Sequence, residues 1–345
     1  MPRWITRHGS KRTTFQYRDP SGTPVRDPRV LERIDVLRIP PGWNSVHVAV
    51  SERAAIQAWG IDAKGRKQYR YHQRAVKRSE TAKFFRVRAL ARDLPRIRES
   101  LHRDFCRGDF CREHVLAAVV RLIGDGFFRV GSERYLKENR TFGISTLHKS
   151  HVRVDGPCLI FEYRGKRGID HRQVVVDAEL AAFVARVLEA PGRRLFRYRD
   201  QETWHDLDAR DVNHYLRKTL GVRYTAKDFR TWGGTLRLAT VLAELGPASS
   251  EREAKRNVVM AVRMVAAELG NTPAVCRKSY VHPIVIARYL DAGDTIARGL
   301  ARVTPQQGIA RHHPEERALL RFLDRHFPER RRKSRPKVVE AKAAA

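Results

Sequence analysis

The sequence predicts an α+β protein: a small N-terminal β-rich domain, then a larger, mainly α-helical domain carrying a short β-sheet or hairpin of its own. Three observations predict it. Up to His72, apolar and polar residues alternate in short runs separated by turn signals, the period of half-buried strands. From Ser79 the period lengthens to three or four, which sets Phe84, Val87, Leu90, Leu94, Ile97 and Leu101 on one helix face. Further helical segments follow, interrupted by three strand-like runs between Val152 and Val176.

In order along the chain, Thr14 to Tyr17 reads as a strand, and Asp19-Pro20-Ser21-Gly22 as a turn. Asp27-Pro28 supplies an N-cap followed by proline at the first helical position, the start of a short helix. Val46, Val48 and Val50 share one face of a second strand, and Lys67 to His72 forms a third. The boundary falls near Ser79, giving an N-terminal domain over residues 1–78. Pro95 is a point where the amphipathic helix from Ser79 can kink or split. Helices are expected at Glu113 to Ile123, Ala178 to Leu188, Val212 to Leu220, Ala226 to Leu245 and Glu251 to Leu269, with Gly221, Gly246 and Gly270 where C-terminal glycines belong. Val152 to Val154, Leu159 to Tyr163 and Gln173 to Val176 are the β-like runs, the last two joined through Arg164 to His171 as a hairpin with a basic, glycine-containing tip. The second domain thus covers 79–300. Residues 301–345 form a polar C-terminal extension whose end, from Glu329, reads as a basic mobile tail.

Composition narrows the partner. The 345 residues carry 69 Lys and Arg against 38 Asp and Glu, a formal net charge of +31, yet 42% are hydrophobic, which excludes a wholly disordered polycation. A surplus of that size calls for a polyanion, and nucleic acid answers better than an anionic membrane surface. The apolar run Val115 to Val120 is cut by Arg121 well short of a bilayer span, so no transmembrane helix is expected. The Arg-rich, acid-poor start lacks the apolar core of a signal peptide and reads as mature protein. Cys106, Cys111, Cys158 and Cys276 are too few and too unevenly spaced for a disulfide framework, which fits a reducing compartment, the cytoplasm by default.

Two segments could carry chemistry. In Lys227-Asp228-Phe229-Arg230-Thr231-Trp232-Gly233-Gly234-Thr235, Thr225 and Asp228 make a capping box, which sets Arg230 in about the first turn of a helix. A guanidinium near that positive end can grip a phosphate bidentately. In Gly270 to Tyr280, Gly270 ends one helix, Thr272 and Pro273 start the next, and Tyr280 falls about two turns along it. Asn271 sits at the corner, while Arg277 and Lys278 favour an anion nearby. Taken singly, the plainer readings win: an arginine on a solvated helix face, and a tyrosine in packing. Cys106-x4-Cys111-x2-His114 fits no common zinc finger and lacks a fourth ligand, so no metal is expected. His148, His151, His312 and His313 read as ordinary surface residues.

Five co-linear strings carry a resemblance: Gly60 to His72, Phe128-Arg129-Val130-Gly131-Ser132-Glu133-Arg134-Tyr135-Leu136-Lys137-Glu138-Asn139, Gly165-Lys166, Lys227-x-x-Arg230-Thr231, and Asn271-Thr272-Pro273 with Tyr280. In order and spacing they resemble type IB DNA topoisomerases of the small poxvirus-like and bacterial kind, over most of residues 40 to 290. The resemblance implies that Tyr280 attacks a phosphodiester of double-stranded DNA, forming a 3′-phosphotyrosyl bond and a 5′-hydroxyl, after which the cut end rotates and the strand reseals. It implies that Arg129 and Arg230 hold the non-bridging oxygens, that Lys166 is the general acid, and that Lys227 relays a proton or binds phosphate. A lysine of ordinary basicity is a poor acid, so the Lys166 role calls for guanidinium groups beside it. Asn271 stands where the poxvirus pattern has histidine; its amide can donate to a phosphoryl oxygen but cannot titrate.

By the same resemblance, Arg66, Lys67, Gln68, Tyr69, Arg70 and Tyr71 meet DNA from the N-terminal domain, as Tyr135 and Lys137 do from the second, within a clamp that closes around the duplex. Cofactors are none, ATP is superfluous because one phosphodiester is exchanged for another, no Walker-type loop is present, and the enzyme is expected to act as a monomer on nucleoid DNA. A tyrosine recombinase shares the Arg, Lys, Arg and Tyr order, but typically has His-x-x-Arg where Lys227-x-x-Arg230 stands, and lacks the Gly65 to Tyr69 segment. A non-catalytic DNA-packaging protein would explain the charge alone.

Overall fold

The computed structural model describes residues 4–9, 14–218, 224–302 and 308–328. The tail expected from Glu329 lies outside the described residues, as do Gly221 and Leu220. Contacts divide the chain into two compact units, Met1–Phe84 and Phe85–Ala345.

The first unit is an antiparallel sheet of β1 (Trp4–His8), β2 (Gln16–Arg18), β3 (Asn44–Ala49), β4 (Ile56–Ile61) and β5 (Lys67–Tyr71), in the order β2-β1-β3-β4-β5, with α1 (Pro28–Val36) between β2 and β3 in sequence. Asp27 caps α1 by accepting from the Arg29 amide, and Pro28 opens it, as the sequence predicts. Alternation in β3 turns Val46 and Val48 into a small core with Ile5, Ala58 and Ile34, while His47 turns the other way and stacks on Trp59. Val50, expected on the face of Val46 and Val48, instead lies past the end of β3 and is exposed, because the chain leaves the sheet at Ala49.

The amphipathic helix α2 runs from Gln73 to Phe105, starting ahead of the expected Ser79 and continuing through Pro95 without a break. The stripe explains the continuity. Leu94 and Ile97, on either side of the proline, are buried with Val87, Leu90 and Leu101 in one core, and that burial outweighs one missing backbone bond.

The second unit continues with α3 (Arg112–Gly126), α4 (Glu133–Asn139), β6 (Val152–Asp155), β7 (Cys158–Arg164), β8 (Asp170–Val176), α5 (Ala178–Glu189), β9 (Arg197–Asp200), β10 (Thr203–Asp206) and α6 (Ala209–Lys218). After these come α7 (Ala226–Leu245), α8 (Glu251–Glu268), α9 (Pro273–Ser279), α10 (Pro283–Ala292), α11 (Ala297–Leu300) and α12 (Pro314–His326). Strands β6, β7 and β8 form an antiparallel sheet in that order, and β9 pairs with β10. The run Val115 to Val120 is buried on every side, so α3 is a core helix rather than a surface one. No single helix among the described residues is long and apolar enough to cross a membrane.

The polar reading of the extension from residue 301 needs correction. Helix α12 buries Leu319, Leu320, Phe322 and Leu323 in the main core, and the carboxylate of its Glu316 is sunk against Arg98 of α2 at 2.8 Å. Charged neighbours outnumber that narrow stripe and hide it from composition. Burial alone would raise the Glu316 carboxyl, but pairing with Arg98 outweighs it and holds the group below its ordinary value. A group depressed in the folded state stabilises above its unfolded pKa, and that contribution is lost as pH falls through the folded one. Thermal melting temperature should therefore drop between about pH 6 and pH 3 less steeply in Glu316→Gln than in the parent, since a glutamine cannot titrate. Parallel curves would remove Glu316 from the acid response.

Candidate active site

The site is organised by the corner between α8 and α9. Gly270 there takes a left-handed φ of 57°, and its amide and that of Asn271 close back onto Ala267 and Ala266 at 2.9 and 2.8 Å. Thr272 caps α9 by accepting from Val275, Pro273 opens it, and two turns later Tyr280 ends it with its amide on the Cys276 carbonyl at 2.9 Å. Backbone carbonyls left at such a corner need donors. Two arginines supply them: Arg230 Nη2 donates to Leu269 O at 2.9 Å, and Arg129 Nη2 donates to Gly270 O and to Asn271 Oδ1, each at 2.7 Å.

Arg230 is the fifth residue of α7 and is 3% exposed. Its Nη1 donates to the carbonyl of Phe127, which takes a left-handed φ of 56° just past α3. The anion at the α7 N-terminus is the chain's own: Asp228 accepts from the Thr225 amide and hydroxyl at 3.0 and 2.9 Å and pairs with Arg86. Arg230 is thus aimed away from that helix end, at the α8–α9 corner. Its guanidinium carbon lies 5.2 Å from the centre of the Tyr280 ring. On the same helix, a side chain at Gly233 would run into the Phe127 ring, and one at Gly234 would press on the Tyr280 carbonyl at 3.0 Å, so the glycine pair admits both.

Arg129 leaves the extended segment after Phe127, pinned where its carbonyl accepts from the Ile144 amide at 2.8 Å. Behind it the backbones of Gly131 and Gly143 cross so closely that a Cβ on Gly143 would sit 2.5 Å from Gly131 and 2.7 Å from the Arg129 carbonyl. Arg129 Nη1 also lies 3.4 Å from His171 Nε2. His171, on β8, is buried, stacks on Tyr163 with ring centres 5.2 Å apart, and is pushed down to about 4 by burial and then by Arg129 and Arg230.

Among the described residues neither Arg129 nor Arg230 pairs with a carboxylate. Burial lowers both guanidinium pKa values, and the charge of Arg129 lowers Arg230 further, yet an arginine keeps its proton at neutral pH. Because Arg129 can only donate, the Asn271 oxygen must face it, and the amide nitrogen is left buried with no partner. Arg230 Nε is likewise buried without one. Two fixed cations and an amide donor without a partner stand beside a phenol, an arrangement chemically suited to a tetrahedral oxyanion.

Arg129, Arg230, Asn271 and Tyr280 therefore come together. Lys166 lies in the short turn Lys166–Gly168 between β7 and β8, exposed, with no hydrogen bond or ion pair among the described residues; Gly165 before it packs on the His171 ring. Lys227 is exposed on the first turn of α7, and Tyr135 and Lys137 are exposed on α4. On β5, Tyr69 and Tyr71 share a face and stack at 5.8 Å, and Lys67 sits 3.7 Å over Trp59. Arg66 and Gln68 both bond to Asp62, and Arg70 donates to the Arg38 carbonyl, so three of the six expected contact residues hold the unit's own loops. Cys106 lies against His102, whereas His114 accepts from the Phe110 amide and is walled by Phe105, Phe110 and Phe183; no three metal-ligating side chains converge among the described residues. His171 and Phe127 were not singled out by sequence reading. The alternation of β8 does turn His171 inward, but no pattern reveals what it meets.

Comparison with known proteins gives a consistent set of matches. The catalytic core of eukaryotic DNA topoisomerase I matches over residues 66–306, and the N-terminal domain of bacterial DNA topoisomerase IB over residues 14–62. DNA topoisomerase 1B of Acanthamoeba polyphaga mimivirus is 32% identical over 267 residues, covering 75% of this chain and 80% of that protein. DNA topoisomerase 1B of Vaccinia virus (strain Copenhagen) is 24% identical over 240 residues, covering 67% and 72%.

The crossing of Gly131 and Gly143 generates a prediction. Gly143→Ala should destabilise the protein by about 1–3 kcal/mol, because the backbone atoms it meets cannot swing aside. Denaturant unfolding measures this, and an unchanged midpoint would show that the crossing can open.

Proposed function

The chain belongs to the type IB DNA topoisomerases, and on that premise we propose that it relaxes supercoiled duplex DNA through a covalent intermediate on Tyr280. The observation that carries the proposal is the pair of enclosed guanidiniums, without carboxylate partners among the described residues, with Arg230 beside the Tyr280 ring.

In the forward step the Tyr280 Oη attacks phosphorus, the bond from phosphorus to the 5′ oxygen breaks, and the phenolic proton leaves as the departing oxygen takes one up. Arg129 and Arg230 meet the two non-bridging oxygens, whose charge grows in the pentacoordinate state, and the Asn271 amide donates a further bond. Lys166, exposed on its turn, gives the proton to the leaving oxygen, and Lys227 assists at the phosphate or in the relay. Resealing is the reverse, with the 5′ hydroxyl attacking the phosphotyrosine. Bond type is conserved, so no nucleotide is consumed, and a site built of guanidinium and amide donors needs no metal to balance the phosphate charge.

DNA is the substrate. The exposed Tyr69 and Tyr71 with Lys67, and Tyr135 with Lys137, are proposed to grip it, with one chain sufficing. The four cysteines stand as free thiols, which supports a reducing compartment such as the cytoplasm.

Purified protein should relax supercoiled plasmid in EDTA without ATP, and Tyr280→Phe should bind DNA normally yet yield no trapped adduct. An adduct mapped to another residue sinks the nucleophile assignment. Arg230→Ala should slow single-turnover cleavage by roughly 100- to 1000-fold, as for loss of an oxyanion donor. Lys166→Ala should be slow on ordinary DNA but close to the parent on a strand whose leaving oxygen is replaced by sulfur, which departs without protonation; an equal defect on both would remove the general-acid role.

A further inference from the structure

We propose that His171 is a positioning residue, a neutral imidazole that accepts from Arg129 and sets its guanidinium against the scissile phosphate. The proposal rests on the reading that Arg129 binds that phosphate. Its geometric basis is threefold.

First, Arg129 has three acceptors among the described residues, and two of them, Gly270 O and Asn271 Oδ1, share one nitrogen, Nη2. His171 Nε2 is the acceptor for Nη1, so the rotation of the guanidinium plane about the Nη2 anchor is fixed by the imidazole. An arginine only donates, so the contact requires a lone pair on Nε2 and the ring proton on Nδ1. Burial, reinforced by the charges of Arg129 and Arg230, keeps the ring neutral at physiological pH.

Second, the ring is clamped edge to edge. A Cβ on Gly270 would lie 1.7 Å from its Cε1, and a Cβ on Gly165 would lie 2.2 Å from its Cδ2. Gly270 precedes Asn271, and Gly165 precedes Lys166, so one imidazole joins the corner bearing one phosphate donor to the turn bearing the proposed acid.

Third, Tyr163 stacks under the ring at 5.2 Å with planes 9° apart, and its hydroxyl donates to Gln173 at 2.7 Å. Gln173 in turn donates to the Gly126 carbonyl at the end of α3, the helix from which the Arg129 segment departs. His171 is thereby registered to the same backbone that delivers Arg129.

A double-mutant cycle tests this on the full chain, by single-turnover cleavage of a duplex oligonucleotide from which religation is impossible. His171→Leu should slow cleavage by roughly 10- to 100-fold, the scale of a misplaced catalytic group, with DNA affinity unchanged. His171→Gln, which keeps an acceptor, should recover part of the loss. In an Arg129→Ala background, either His171 variant should cost no more than twofold further, since its effect runs through the missing guanidinium. If His171→Leu proves too unstable to assay, the same cycle with His171→Gln decides the matter. Should Arg129→Ala be slow while the His171 variants keep their full penalty in that background, His171 merely packs and the proposal is overturned. Cleavage at parental rate in both His171 variants overturns it as well. Parental cleavage by Arg129→Ala itself would instead bring down the phosphate-binding reading on which the proposal stands.

Discussion

Two like charges enclosed together, with no carboxylate paired to either among the described residues, are the constraint around which this molecule is arranged. Arg230 is almost wholly enclosed and Arg129 partly so; burial lowers the proton affinity of both, and the charge of Arg129 lowers that of Arg230 further. Scarcity of acid is not the reason. Arg98 and Arg121, of the same unit, have found Glu316 and Asp177 at 2.8 and 2.7 Å. What holds the central pair is a set of neutral dipoles, the carbonyls of Phe127, Leu269 and Gly270 and the Asn271 amide oxygen, delivered by the end of α3 and the α8–α9 corner. A buried cation solvated by dipoles alone is costlier than one in an ion pair, so the arrangement persists because the surrounding packing over-determines it.

That packing is why remote segments matter. Gly131 crosses Gly143 behind Arg129, Gly233 and Gly234 admit Phe127 and Tyr280 to α7, and α12 locks onto α2 through Glu316. The glycine contacts fix the backbones that carry Arg129, the Phe127 carbonyl and Tyr280, while the Glu316 pair ties together two helices of the surrounding core. An oxyanion site earns its rate from donors that need no rearrangement when charge develops, which demands rigid supports rather than many contacts.

The sequence carried much of this. Helix α7 begins and ends where Thr225-x-x-Asp228 and Gly246 say it should, since caps are local chemistry and survive tertiary context. Arg129, Arg230, Asn271 and Tyr280 were legible as a set because their strings fall in family order, whereas any one of them alone reads as a surface or core residue. Helix α12 was missed because a narrow apolar stripe among charges has no distinctive composition, and Pro95 was overvalued because propensity yields to burial. The Arg66 and Gln68 side chains, expected on DNA, are engaged by Asp62 in a turn a few residues away, a competition invisible in spacing. His171 was illegible for a deeper reason: its partners Gly165, Gly270 and Arg129 come from three separate segments, and only folding brings them to one ring.

The choice of neutral acceptors also bears on turnover. A carboxylate in the corner would hold each guanidinium in a charge-assisted bond, and a phosphate would have to displace it at comparable cost. Carbonyl and imidazole acceptors hold the same groups more weakly, so a phosphate can enlist the remaining guanidinium protons without any ion pair being broken. The donors without partners, Arg230 Nε and Asn271 Nδ2, lose nothing by turning to it. In the proposed mechanism transesterification leaves the bond energy in the phosphotyrosine, so the same receptacle would have to release the strand as readily as it cuts it. A site that bound its phosphate through preformed charges and nothing stronger would stabilise the transition state in both directions alike, which is the condition for a nick that closes again.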